Sequence, residues 1–345
     1  MPAGLLEVYG TIELKQFWPS GQSDADTTKV ILSVGPDAIK FRKDSSSPFH
    51  PTHVFNNAKV KGKFSTPPIK NGKVTIRLQG IDATELHYQP SALSAKEKNG
   101  LSATKLAAYK GLIHFYRQLL GATSAKALHD FLTSTGKTVL DCRVVTQVDT
   151  PNEVFDTYGR LVGDIEVTVN GQAVNLNHWL VEHGWAYPTF YSSMTNDEIN
   201  ALLALAKTAR SKKTLVWKFL SNTIGPFDFN LREPKVGDLS VLATDEGPAI
   251  FPKLYRRYTN WSARKKAQVA GQNFQGFLAA GSGGRPDICF LLADFLATGV
   301  HSAIPHNFAD FVVGGKTIKF APDSLVFKEA PSTLLGPDNK PITHF

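Results

Sequence analysis

Val74-Thr75-Ile76-Arg77-Leu78-Gln79-Gly80-Ile81-Asp82-Ala83-Thr84-Glu85 is the stretch from which the rest of the chain can be placed. Val74, Ile76, Leu78 and then Ile81 form the apolar side of a half-buried strand, and a turn begins at Gly80. Within nine positions that strand also carries Arg77, Asp82 and Glu85. Charges in a segment that should be core are costly unless they pair, bind metal or do chemistry. Two readings follow from these residues alone. They are a surface ion pair with a turn cap, or they are a site.

The chain has 345 residues, 42% of them hydrophobic and 20% charged, enough for a substantial core and for two lobes. Its formal net charge of +8 favours an anionic partner such as nucleic acid. The two cysteines, Cys142 and Cys289, cannot build a disulfide framework and have no neighbours of a metal knuckle, so both are expected to be buried apolar residues. The N-terminal stretch lacks the basic start and long apolar run of a secretory signal, and no run is long enough to span a membrane. Cytoplasmic residence is the default expectation, and export without a cleavable signal stays open.

Upstream, residues 5–15 alternate as a strand, and Ser23-Asp24-Ala25-Asp26-Thr27-Thr28 leads into another at Val30 to Val34. Two aspartates one residue apart at the start of a strand point to the same side. They suit a hard cation with oxygen ligands, or a solvated turn. From Phe41 to Ile69 the sequence is rich in Ser, Pro, Lys and Asn and reads as an inserted loop and hairpin with few core-filling residues, with one strand-like piece at His53 to Phe64.

Downstream, His87 is a local hydrogen-bonder or faces the site. Leu106, Tyr109, Ile113, Tyr116 and Leu120 recur at helical spacing, which predicts a helix ending at Gly121, with a second helix from Ser124 to Leu132. Val139 to Val148 and Leu161 to Val169 read as strands, and Asn170-Gly171 as a hairpin turn. A helix is expected from Val174 to His183, then an aromatic run from Trp185 to Tyr191. Another helix starts at the capping box Thr195-Asn196-Asp197-Glu198. Pattern dissolves from Asn222 to Glu233, which places a domain boundary there: 1–222, with an insertion at about 41–70, and 223–345. In the second part, Pro252 to Ala270 is a helix rich in basic and aromatic residues, suited to stacking on bases and neutralising phosphates, or simply solvated on one face. A Gly281-Ser282-Gly283-Gly284 loop and a hairpin at Gly314-Gly315 follow.

Three pieces in order resemble the staphylococcal nuclease (thermonuclease) family: Asp24-Ala25-Asp26-Thr27, then Arg77 to Asp82-Ala83-Thr84-Glu85, then Asp156-Thr157-Tyr158-Gly159-Arg160 with Val174-Asn175 and Leu180-Val181 to Ala186. The resemblance covers roughly residues 8–220. It implies an α+β fold, a five-stranded OB-type barrel with packed helices, here joined to a smaller mixed C-terminal lobe. It implies a nuclease hydrolysing DNA or RNA phosphodiesters, with Asp26, Asp82 and the Ala83 carbonyl on a metal, Glu85 as general base, and Arg77 and Arg160 clamping the phosphate. The family's usual ion is Ca2+, with Mg2+ or another divalent cation as substitutes.

Ala25, Ala83 and Thr84 depart from the family's glycine, threonine and proline, and the long gap between Asp26 and Arg77 leaves Asp37 as a rival metal ligand. Tyr158, Phe190 and Tyr191 are expected to stack on a base or sugar. The alternative is a non-catalytic OB barrel that binds nucleic acid or a peptide, and the C-terminal lobe is a candidate docking surface for a protein partner.

Overall fold

The computed structural model describes residues 4–62, 65–281, 284–330 and 332–345. Five strands close into a barrel: β1 (Leu5–Glu13), β2 (Thr27–Leu32), β3 (Lys73–Leu78), β4 (Val139–Gln147) and β5 (Leu161–Val169). β1 pairs antiparallel with β2 and β4, β2 antiparallel with β3, and β5 antiparallel with β4. One parallel pairing, Leu161 with Ile76 through Gly163 with Leu78, joins β3 to β5 and closes the ring. Alternation drives this closure: Val74, Ile76 and Leu78 turn inward with Leu140, Cys142 and Val144, while Thr75 and Arg77 stay half-buried. β5 continues into a two-residue turn, Asn170-Gly171, both with positive φ, that sets Val169 opposite Gln172.

Helices cover the barrel. After α1 (Ala103–Lys110), α2 (Gly121–Thr133) buries Leu128 and Leu132 against it. α3 (Leu176–Glu182) and α4 (Asn196–Ser211) pack against each other, and α4 is capped as the sequence predicts, with Glu198 accepting the Thr195 N–H at 2.7 Å.

The residues after 222 share the barrel's apolar core, into which α5 (Pro252–Lys266) sends Leu254 and Tyr255, both 0% exposed. Leu325–Phe327 pairs in parallel with Phe190–Tyr191 and antiparallel with Ile288–Leu291, and Thr333–Leu335 pairs with Lys59–Lys61 of the inserted segment. Phe345 stacks on Phe41 at 3.9 Å between ring centroids. Among the described residues, no helix is long and apolar enough to cross a membrane.

Three expectations change. The inserted segment does fill core: Phe55, Ala58 and Val60 are buried, Val60 opposite Leu334 of the C-terminal strand and Phe55 edge-on to Phe155 and Phe345. Of its strand-like piece only Lys59–Lys61 is a strand near that position, and Lys63 and Phe64 lie outside the described residues, as do Ser282 and Gly283 of the glycine loop. The helix expected through Leu120 stops at Lys110. Tyr116 exchanges backbone hydrogen bonds with Tyr88, at 3.0 and 2.8 Å, so tertiary pairing replaces the helical ladder. Gly121 starts α2 instead of ending a helix. A Cβ at Gly121 would meet the Glu85 carbonyl oxygen at 2.3 Å, so glycine permits this close approach.

Candidate active site

The register of β2 and β3 sets Thr27 opposite Arg77, which brings Asp26, the residue just before β2, against the Arg77 guanidinium. Backbone bonds hold Asp26 there: its carbonyl accepts the Leu78 N–H at 2.9 Å, and its Oδ2 accepts the Ala83 N–H at 2.9 Å. After Gly80 turns the chain, the short strand Ile81–Ala83 runs antiparallel to Ala186–Pro188 and places Asp82 under the same guanidinium. Arg77 donates to Asp82 Oδ1 at 2.6 Å and to the Ile81 carbonyl at 3.0 Å.

Glu85 is anchored on its backbone. Its N–H donates to Gln118 Oε1 at 3.0 Å, and its carbonyl accepts the Gln118 N–H at 2.8 Å. The Gln118 amide donates in turn to the Ile250 carbonyl at 2.9 Å, just before α5. That helix supplies a group the sequence reading passed over. Arg256 donates from Nη1 to Asp82 Oδ1 at 3.0 Å and from Nη2 to Asp82 Oδ2 at 2.8 Å, and its Nη1 also contacts Glu85. Asp82, with a side chain 0% exposed, thus lies between two arginines.

Arg160 stands at the margin. Asp156 accepts both its Nε–H, at 2.7 Å, and its backbone N–H, at 2.9 Å, while its Nη1 donates to the Thr27 hydroxyl at 3.2 Å. Tyr158 is 50% exposed with the Arg160 guanidinium 5.4 Å from its ring centre. Tyr191 is half-buried beside Lys253. Phe190, expected to stack on a base, is 0% exposed in the core: its strand pairs with Val326 and covers it, so it has no face to offer. Asp37 is exposed in a short 3-10 turn and pairs with Lys40, away from this cluster.

Electrostatics follow burial. The Glu85 carboxyl is pushed up to about 7 by burial, aided by Asp82, Asp26 and Asp24 and opposed by Arg256. Asp24, whose Oδ1 is buried without a hydrogen-bond partner, also rises to about 7, through burial and the Asp26 charge. Asp82 is driven the other way: the Arg256 and Arg77 guanidiniums outweigh its burial and lower its pKa. Both guanidiniums are raised from their ordinary value by these carboxylates.

The donor set is all oxygen, which suits a hard cation, and Asp26, Asp82 and the Ala83 carbonyl are the expected ligands. In this arrangement the carboxylate oxygens of that set are committed. Both Asp82 oxygens accept from guanidinium, and Asp26 faces Arg77 and the Ala83 N–H. Asp24 Oδ1 is a buried carboxylate oxygen without a partner, and with the Ala83 carbonyl it falls well short of the six or more oxygens that Ca2+ takes. Among the described residues no group of three His, Cys, Asp or Glu is disposed to hold a metal ion. The residues as placed do not fit a divalent cation.

A closed five-stranded barrel with packed helices and a charged cluster where two of its strands meet a turn defines a protein of the OB-barrel class. Residues 75–219 match the family described as staphylococcal nuclease homologue. The match begins inside β3, so β1 and β2 complete the barrel ahead of it, while the C-terminal region has no family match. No curated protein matches the chain.

Arg256 is the site member that the sequence reading did not select, while Asp24, read there as half of an aspartate pair suited to a cation, joins the cluster beside Asp26. Arg256, Asn260 and Arg264 recur every four residues, and all three point inward: to Asp82, to Ser91 and to Glu97. That polar stripe is visible in the sequence, but what faces it is not.

Proposed function

We propose that the chain is a nuclease that hydrolyses phosphodiester bonds of DNA or RNA. One observation carries this reading: on a barrel that matches the nuclease-homologue family, the Glu85 carboxylate shares a single buried cluster with the guanidiniums of Arg77 and Arg256. A carboxyl at about 7 is poised to take a proton near neutral pH. In the reaction, water loses its proton to Glu85 and its oxygen bonds to phosphorus. The bond from phosphorus to the leaving oxygen breaks, and that oxygen takes a proton from solvent, giving a phosphomonoester and an alcohol. Guanidiniums neutralise the non-bridging oxygens as charge builds, in a fork geometry that lysine does not reproduce. On this reading Arg160, oriented by Asp156, grips the phosphate, and Tyr158, beside it, and Tyr191 meet a base or sugar. The net charge of +8 suits a polyanionic substrate.

The test is digestion of single-stranded DNA, double-stranded DNA and RNA by the full chain with Ca2+, with Mg2+ and with excess chelator, beside Glu85→Gln. Cleavage that falls roughly 100-fold or more in Glu85→Gln is expected. No product on any substrate, with binding retained, would assign the barrel to binding without cutting.

A further inference from the structure

We infer that Arg256 takes the place of a divalent cation in this site. The first ground is geometric. Its two Nη nitrogens span both oxygens of Asp82, an expected metal ligand, and reach Glu85, so one guanidinium brings these carboxylates the positive charge a cation would supply, as Arg77 does between Asp26 and Asp82. Asp82 then has both oxygens engaged, Oδ1 by two arginines at once.

The second ground is permanence. Arg256 lies in the second turn of α5, and Leu254, Tyr255 and Thr259 around it are 0% exposed. The helix is tied to the barrel by the Tyr255 hydroxyl, which donates to the Arg117 carbonyl at 3.0 Å, and by Asn260, whose Oδ1 accepts the Ser91 N–H at 2.7 Å. Withdrawing Arg256 by moving α5 would open the core. The guanidinium is therefore a fixed part of the site.

The third ground is donor arithmetic. A guanidinium has five N–H donors, of which Arg256 commits three to Asp82 and Glu85. Two remain for a non-bridging phosphate oxygen, and the side chain is 21% exposed. Under the nuclease reading, on which this catalytic part rests, Arg256 contributes the positive charge at the scissile phosphate and hydrolysis proceeds without added metal.

The experiment joins calorimetry and melting with activity. The full chain and the variants Arg256→Met and Arg256→Lys are titrated with CaCl2 and with MgCl2, melted with and without 10 mM of each salt (about 100 times a moderate-affinity Kd), and assayed for cleavage in excess chelator. The wild-type chain is expected to show no heat of binding and no salt-specific rise in Tm, and to cleave in chelator. Arg256→Met, with Asp82 and Glu85 left facing each other, is expected to bind one Ca2+ per chain and to gain several degrees in Tm from it. Its cleavage in chelator should fall roughly 100-fold or more. Should Arg256→Met fail to fold, Arg256→Lys keeps the charge while losing the fork, and a fall in turnover of about 10-fold without any new need for metal is expected. Saturable Ca2+ or Mg2+ binding by the wild-type chain, or cleavage abolished by chelator, overturns the inference. If no variant cleaves anything, the nuclease reading fails alone: metal binding confined to Arg256→Met still supports the substitution, and metal binding by wild type still overturns it.

Discussion

Arg256 and Asp82, 174 residues apart in sequence, form a two-point ion pair, with Nη1 to Oδ1 at 3.0 Å and Nη2 to Oδ2 at 2.8 Å, around a carboxylate that no solvent reaches. The pair ties α5 to the barrel at the centre of the candidate site. Breaking a buried pair from one side leaves an uncompensated charge, which costs more than the pair itself contributes. Asp82→Asn, which leaves Arg77 and Arg256 facing a neutral amide, is expected to lose about 3–5 kcal/mol of stability in urea unfolding. A loss below about 1 kcal/mol would show that the two arginines find other partners.

Glu85 sets the pH response of the reaction. Its carboxyl, lifted to about 7 by burial, works as a base only when deprotonated. Cleavage should therefore rise tenfold per pH unit below about 7 and level off above it. In Glu85→Gln the residual rate should lose this step, and a profile unchanged by the substitution would remove Glu85 as the base.

Arg160→Lys tests the fork at the margin. Asp156 orients the guanidinium through Nε, and an ammonium cannot hold Asp156, Thr27 and a phosphate together. A drop of roughly 10- to 100-fold in kcat/KM is expected. Equal kinetics for Lys and Arg would leave Arg160 outside the reaction.

Asp164 provides a stability test away from the chemistry. Its carboxylate accepts from the Asn175 and Asn177 amides, both at 2.8 Å, yet burial raises it to about 7. A carboxyl whose folded pKa exceeds its unfolded one binds its proton more tightly when folded. Its stabilising share is thus full below about pH 4 and is lost as pH rises through about 7, with a slope of at most about 1.4 kcal/mol per pH unit. Urea unfolding at several pH values should show Asp164→Asn to be flatter than wild type across that window, and parallel curves would contradict the assignment.

A chain ending at Asn222 should not fold as the sequence boundary suggested. It lacks Leu254, Tyr255 and Leu325 to Phe327, all buried in the common core, and the parallel partner of Phe190–Tyr191. Loss of cooperative melting in circular dichroism is expected, and a sharp transition near the full-length Tm would restore residues 1–222 as an independent unit.

Much of the barrel could be read directly. Strands β3 and β5, the Asn170-Gly171 turn and the Thr195 capping box are local features, set by alternation, by backbone preferences at a turn and by one side chain reaching three residues along. The cluster of Arg77, Asp82 and Glu85 was legible for the same reason: a strand cannot hide three charges without a cause.

What escaped the sequence is contact between distant parts. Tyr116 pairs with Tyr88 and ends a helix its own spacing favours, and Val60 is buried because Leu334 returns beside it. The basic stripe of α5 has the same spacing whether it faces water or carboxylates; only packing turned Arg256 onto Asp82 and Glu85. Local periodicity determined most of the barrel's strands and the helices packed on them. Which charges meet, and whether the cation among them is an ion or a side chain, was decided by tertiary structure, because Coulomb interactions depend on distance and burial and not on separation along the chain.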